Sequence, residues 1–169
     1  MSDGMGDRMG DRMKKEICEN MISGLTIAPI QEEDIPILAE IEAKSFSMPW
    51  SPEDFRDLLS IDYAYYLVAK IDGQVVGSLG MRILAGEGNI DNVVVDEDFR
   101  CRGIASALLS RLLEEGEKMG VKDYTLEVRV SNEPAIKVYE KFGFIREGIR
   151  PRFYEQPVED AAIYWRRGE

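Results

Sequence analysis

Between Leu25 and Trp165 the spacing of apolar side chains changes several times, and each change marks an element. Leu25 to Pro29 reads as a short strand. Behind it Ile35, Leu38 and Ile41 return at helical intervals, with Ile37 and Ala39 beside them and Pro36 tolerated in the first turn, so a helix should end near Ser45. Ser51, Pro52 and Asp54 combine an N-cap, a first-turn proline and an acidic residue three positions past the cap, which opens a second short helix. Two β-patterned runs, Tyr65 to Ile71 and Gln74 to Ile83, flank Asp72-Gly73, a pair suited to a two-residue hairpin. Asn89 to Val95 gives the next strand.

Beyond Val95 the rhythm turns helical. Ile104, Ala105, Leu108, Leu109, Leu112 and Leu113 form one stripe that closes at Gly116 or Gly120, and Tyr124 to Val130 is a strand rich in β-branched residues. Pro134 opens a short helix carrying Ala135, Val138, Tyr139 and Phe142 and ended by Gly143. Phe144 to Ile149 and Ala161 to Trp165 finish as strands, joined by a loop that holds Pro151 and Pro157. A strand, a glycine-bearing turn, a helix and a further strand make a βαβ-type crossover, while hairpins lie on either side. The expected class is therefore α+β with a mixed, mostly antiparallel sheet.

Composition narrows the chemistry. With 169 residues, 44% hydrophobic and 31% charged, the chain suits one domain around one core. Residues 1–24 lack core periodicity, repeat Met-Gly-Asp-Arg twice and hold five of the eight methionines; they read as a flexible extension, leaving 25–169 as the domain. A net charge of −11 opposes unspecific binding to nucleic acid or to an anionic membrane. Histidine is absent, which removes imidazole bases and histidine-ligated metals, so proton transfer falls to carboxylate, phenol, thiol or amine. Cys18 and Cys101 are far apart and in no metal-ligand spacing, so neither a metal site nor a disulfide framework is expected, and a reducing compartment, the cytoplasm, fits. Neither a secretion signal nor a membrane span stands out.

One segment can hold an anion. Arg100-Cys-Arg-Gly-Ile-Ala105 lies between the strand ending at Val95 and the helix starting near Gly103, where unpaired N–H groups and the helix dipole favour a phosphate, and Gly103 and Ala105 allow close approach. Residues 100–150 carry ten Lys or Arg against eight Asp or Glu, whereas residues 1–99 carry eight against twenty, so positive charge is concentrated around this turn. A solvated helix start with two surface arginines would look the same. The lysine of a P-loop and the third glycine of a dinucleotide fingerprint are missing.

The turn Arg100-x-x-Gly103-x-Ala105 after Asn92-Val-Val-Val-Asp96 resembles the acetyl-CoA pyrophosphate motif of the GNAT acetyltransferase superfamily. Leu126-Glu-Val-Arg129, Ser131-Asn132, Ala135-Ile136, Val138-Tyr139-Glu140 and Phe142-Gly-Phe144 are similar in order and spacing to its RimI branch, the ribosomal-protein-alanine N-terminal acetyltransferases. Phe46-Ser-Met-Pro-Trp-Ser51 resembles that branch's loop between the first two helices, and Tyr154 with Glu159-Asp160-Ala161 its closing hairpin. The final position of the phosphate motif is alanine here, where glycine also occurs in the family.

The resemblance implies a GNAT fold, with about seven strands splayed between the fourth and fifth and about four helices. It implies acetyl-CoA as donor, its pantetheine arm against the main chain of Val93, Val94 and Val95, its pyrophosphate on Arg100, Cys101, Arg102, Gly103, Ile104, Ala105 and Ser106, and Asn132 bonded to the arm. One strand amide would polarise the thioester carbonyl. Glu127 matches the family's general base and Tyr139 its general acid; read without the resemblance, Glu127 is a strand carboxylate exposed or paired with Arg129, and Tyr139 a packing residue. Cys101 reads as a passive small residue rather than an acyl carrier. Phe46, Trp50 and Tyr154 either grip the first residues of a peptide end or anchor their own loops. The reaction expected is direct acetyl transfer to the N-terminal amine of a protein, ribosomal and starting with a small residue such as alanine. A small amine, a lysine acceptor, or a non-catalytic acyl-CoA-binding module are the alternatives.

Overall fold

Asp72 and Gly73 adopt φ values of 48 and 84, the left-handed pair that a two-residue hairpin requires, and they join β2 (Ala64–Ile71) to β3 (Gln74–Leu84) as the sequence predicts. This computed structural model describes residues 22–168. Before the hairpin come β1 (Leu25–Pro29), α1 (Ile35–Ser45) and α2 (Pro52–Leu59); after it come β4 (Glu87–Val95), α3 (Ile104–Lys118), β5 (Asp123–Arg129), α4 (Glu133–Lys141), β6 (Ile145–Glu155) and β7 (Val158–Arg166). Most of the expected extension lies outside the described residues; Ile22 to Gly24 form a turn whose Gly24 carbonyl accepts from the Asp72 amide at 3.1 Å.

The strands form one sheet in the order β1-β2-β3-β4-β5-β7-β6. The neighbours β4 and β5, joined by the crossover helix α3, run parallel, and the other neighbouring pairs among the described residues are antiparallel. Helices cover both faces. On one, Leu108, Leu109 and Leu112 of α3 and Tyr139 of α4 pack against Leu79, Met81, Tyr124, Leu126 and Val128. On the other, Ile35, Leu38 and Ile41 of α1 and Phe55 of α2 pack against Tyr66, Val68, Val75 and Val94. The side chain of Ser51 accepts the Asp54 amide at 3.2 Å and Asp54 accepts the Ser51 amide at 2.7 Å, so the capping box is built as the sequence implies. The α3 helix runs through Gly116, where the absent side chain leaves room for the Tyr124 hydroxyl to donate to the Leu113 carbonyl at 3.1 Å.

The sequence predicts a long loop between the last two strands, and here the structure differs. β6 continues through Pro151 to Glu155, and β7 begins at Val158. Proline is tolerated because β6 is an edge strand and because its register slips between Arg150 and Tyr154, where Arg152 takes φ 54.

The feature that opens the molecule lies in β4. Ser78 pairs with Val94 and Gly80 with Asp91, so Asn92 and Val93 together face the single residue Leu79; Asn92 has φ 53. This bulge bends β4 away from β5. Their pairing ends at Ile90 with Leu126; from Asp91 onward β4 stays with β3, while Glu127 to Arg129 stay with β7.

Candidate active site

An apolar hollow of about 250 Å³, open solvent included, lies beside Val93, just past the point where β4 leaves β5. Leu79 of β3, Val93 of β4, Ala105 and Leu109 of α3, and Ala135 and Tyr139 of α4 line it. These walls are apolar and suit a flexible thioester arm, and the first turn of α3 opens beside them. Gly103, φ 85, is the N-cap of that helix, and its carbonyl accepts the first helical bond from Ala107 at 3.0 Å; the amides of the first turn have no partner within the helix. Cys101, at φ 62, is exposed. Ile104 and Ser106 are buried, while Arg100, Cys101, Arg102 and Gly103 are at the surface. Arg100 braces this turn, its Nε donating to the Val95 carbonyl at 3.1 Å and its Nη2 to Ser45 Oγ at 3.3 Å, and Arg102 lies over the Phe99 ring at 5.0 Å. A pyrophosphate fits such a helix start, and the arm fits the cleft beyond it.

Alternation along β5 buries Tyr124, Leu126 and Val128 under the helices and turns Glu127 to the opposite face, half-buried at the mouth of the split. Its cation is Arg150 of β6, Nε to Oε1 3.1 Å, and not Arg129. Arg129 instead lies 4.2 Å over the Tyr154 ring, approaches Glu159 at 3.6 Å and donates to the Pro157 carbonyl at 2.9 Å. Tyr139 reaches the split from the helical face, its ring edge-on to Phe144 at 6.0 Å. Burial first, and the nearby Tyr154 second, hold its hydroxyl above the usual tyrosine range, so it keeps its proton at neutral pH. Tyr154 is itself raised by burial and then by the charge of Glu127. Tyr154 is thus electrostatically close both to Glu127 and to Tyr139.

Of the expected acceptor residues, Tyr154 stands on β6 rather than in a loop. Trp50 is seated on the core, 5.4 Å from Phe55 and 6.0 Å from Tyr66 between ring centroids. Phe46 remains exposed just past α1. The loop that carries both is clasped to the β6–β7 turn by Ser47, which donates to the Gln156 carbonyl at 2.5 Å. Asn132 caps α4, its Oδ1 accepting the Ala135 amide at 3.4 Å; its amide nitrogen is the group left to meet a cofactor arm. Among the described residues no group of three or more His, Cys, Asp or Glu is arranged to hold a metal.

Sequence reasoning passes over a polar layer beneath the split. Tyr66 donates to Asp91, which also accepts from Arg82 at 2.8 Å, and Gly80 makes room for the Tyr66 ring: a Cβ there would sit 2.0 Å from it. Glu42 of α1 is 1% exposed. Burial raises its carboxyl to about 7, against the opposing pull of the Asn92 side chain and the Trp50 amide. The available signal is its place on the apolar stripe of α1, seven residues after Ile35 and four after Leu38.

A mixed sheet split at its one parallel pair, with the start of a crossover helix beside the opening, is the fold of an acyl-transfer enzyme. The chain belongs to the acetyltransferase (GNAT) family, whose model matches residues 35–144, and it is an N-acetyltransferase of that type. It is 38% identical over 134 residues to a Bacillus subtilis (strain 168) protein provisionally named a ribosomal protein bS18-alanine N-acetyltransferase, covering 79% of this chain and 89% of that one. The Escherichia coli (strain K12) ribosomal protein bS18-alanine N-acetyltransferase is 33% identical over 140 residues, covering 82% and 94%. The crystal structure of the Escherichia coli ribosomal-protein-S18-alanine N-acetyltransferase superposes with a TM-score of 0.78 at 31% identity, covering 85% of this chain and 93% of that one. Among the described residues, no helix is long and apolar enough to cross a membrane.

Proposed function

We propose that the protein transfers the acetyl group of acetyl-CoA to the N-terminal α-amine of a protein, a ribosomal protein starting with alanine or a similarly small residue. The observation that carries this reading is the end of β4–β5 pairing at Ile90 and Leu126, with Glu127, Tyr139 and Tyr154 gathered at the opening. The acceptor chemistry is supported by relatives 38% and 33% identical that are named ribosomal protein bS18-alanine N-acetyltransferases.

The pyrophosphate rests on the turn that leads into α3, from Arg100 to Ser106, and the arm follows Val93 to Val95 with Asn132 at the closed end of the slot. A β4 amide freed by the split polarises the thioester carbonyl. Glu127, directly or through water, takes a proton from the acceptor ammonium; the amine attacks the carbonyl carbon; as the C–S bond breaks the departing thiolate takes the proton of Tyr139, and the new amide nitrogen gives up its second proton, directly or through water, to the Tyr139 phenolate. An α-amine suits a carboxylate base better than lysine does. Reference pKa values of about 8 and about 10.4 make lysine ~3 kcal/mol more costly to deprotonate. Tyr154, Phe46 and the Trp50 loop flank the place where the peptide enters. The acidic excess draws in the basic tails common among ribosomal proteins, mainly as a gain in encounter rate. An exposed, unpaired Cys101 suits the reducing cytoplasm.

The test is acetyl-CoA offered with short peptides that differ only in their first residue. Acetylation confined to small first residues is expected; equal acetylation of every peptide would overturn the acceptor assignment.

A further inference from the structure

Glu42 stands where an apolar residue belongs. Its neighbours on α1, Leu38 and Ile41, are core residues, and its own side chain is as buried as theirs. A buried carboxyl without a cation is costly, and a hydrophobic side chain of similar size is usually the more stable choice. No lysine or arginine is among its partners. Its Oε2 accepts from the Trp50 amide at 3.5 Å, and the Asn92 amide lies beside the same carboxyl. Glu42 Oε1 and Asn92 Nδ2 are both buried and have no closed hydrogen bond, a donor and an acceptor side by side.

These two contacts reach the two halves of the site. Trp50 ends the loop that holds Phe46 and Ser47 and is clasped to the β6–β7 turn. Asn92 is the left-handed residue of the β4 bulge, next to Val93 and Val94, at the point where β4 leaves β5. One carboxyl thus spans the acceptor loop and the donor strand.

We propose that Glu42 is a positioning residue for acetyl transfer: by holding the Asn92 bulge and the Trp50 loop in one register, it sets the free amides of β4 against the incoming amine. This rests on the reading of the site given above. Glu42 does not touch the reacting atoms and acts through Asn92. The residue is retained at the expense of stability because an apolar replacement would leave the bulge free to move.

The test is a swap of donor and acceptor in the full-length protein. Glu42→Gln keeps an oxygen for the Trp50 amide but sets its NH₂ against the NH₂ of Asn92; Asn92→Asp sets two carboxyls together; the double variant restores a donor facing an acceptor. Aspartate also tolerates the left-handed conformation. Each single change is expected to lower kcat about tenfold while acetyl-CoA affinity, by calorimetry, stays within about threefold, and the double variant to recover to within about threefold of wild type. Losses that multiply in the double variant, or a wild-type kcat in Glu42→Gln, overturn the proposal. Glu42→Leu guards against misfolding. It is expected to melt at pH 8 no lower than wild type yet turn over about tenfold more slowly, whereas a fully active Leu variant refutes the role. Should the wild-type protein acetylate lysines or small amines instead, the four-protein comparison is run on that substrate, so the acceptor reading and the coupling fail separately.

Discussion

Arg150 Nε lies 3.1 Å from Glu127 Oε1, and to make this contact the guanidinium reaches from the edge strand β6 across β7 to β5. The cation is more than half exposed, so the pair adds little to stability, within about 0.5 kcal/mol. In the proposed mechanism it orients the Glu127 carboxylate. Arg150→Ala is expected to lower kcat by about three- to tenfold while the urea midpoint barely moves; steady-state kinetics beside denaturation curves check this.

Glu127→Gln removes the proposed proton acceptor and keeps the side chain's shape. Turnover at pH 6.5 should fall by roughly 10²- to 10⁴-fold. The deficit should narrow above about pH 8, where an α-amine sheds its proton unaided. A deficit independent of pH would assign Glu127 to structure.

Tyr139→Phe deletes one buried hydroxyl and leaves the ring against Phe144. Turnover should fall by about 10²-fold, and acetyl-CoA affinity should be unchanged in calorimetry. Because the ring supplies the packing, the melting temperature should hold within about 2 °C.

Gly103→Ala tests the helix start. A Cβ at that position meets nothing closer than Ile22 Cδ1 at 3.9 Å, so the change acts through the positive φ and not through a clash. It should cost about 1 kcal/mol of stability and raise the acetyl-CoA dissociation constant more than the peptide KM.

Glu42 makes stability depend on pH in a known direction. Its carboxyl titrates near 7 in the fold against an ordinary 4.5, so between these values the native state holds a proton that the unfolded chain has released. Stability therefore falls as pH rises from about 4.5 to about 7 and levels off above. In Glu42→Gln this contribution is absent, so the variant should gain on wild type steadily across that window in urea denaturation. Parallel curves would contradict the burial of a titrating carboxyl.

The elements of this fold are legible in the sequence because their signals are local. The hairpin needs only Asp72-Gly73, the second helix only Ser51-Pro52 and Asp54, and the βαβ crossover only a stripe from Ile104 to Leu113 between two β-patterned runs. The motif positions Gly103, Glu127 and Tyr139 are legible for a different reason, through resemblance to a family. What escapes is set by pairing at a distance. The bulge at Asn92 appears only when β4 is laid against β3, and Pro151 stays in a strand because β6 lies at the sheet edge and slips register there. Arg150 as the partner of Glu127 depends on β7 lying between their strands, which no spacing in the chain reveals. Glu42 leaves a faint trace, a charge on an apolar stripe, but its partners Asn92 and Trp50 come from a strand and a loop that only tertiary packing brings to it.

The most direct test uses one peptide that begins with alanine and carries an internal lysine, incubated with acetyl-CoA and the wild-type protein or its Glu127→Gln variant, and sequenced by tandem mass spectrometry. The account predicts one acetyl group, on the alanine α-amine, formed by wild type and strongly reduced in the variant at pH 6.5. Acetyl on the lysine alone, or equal α-acetylation by both proteins, would contradict it.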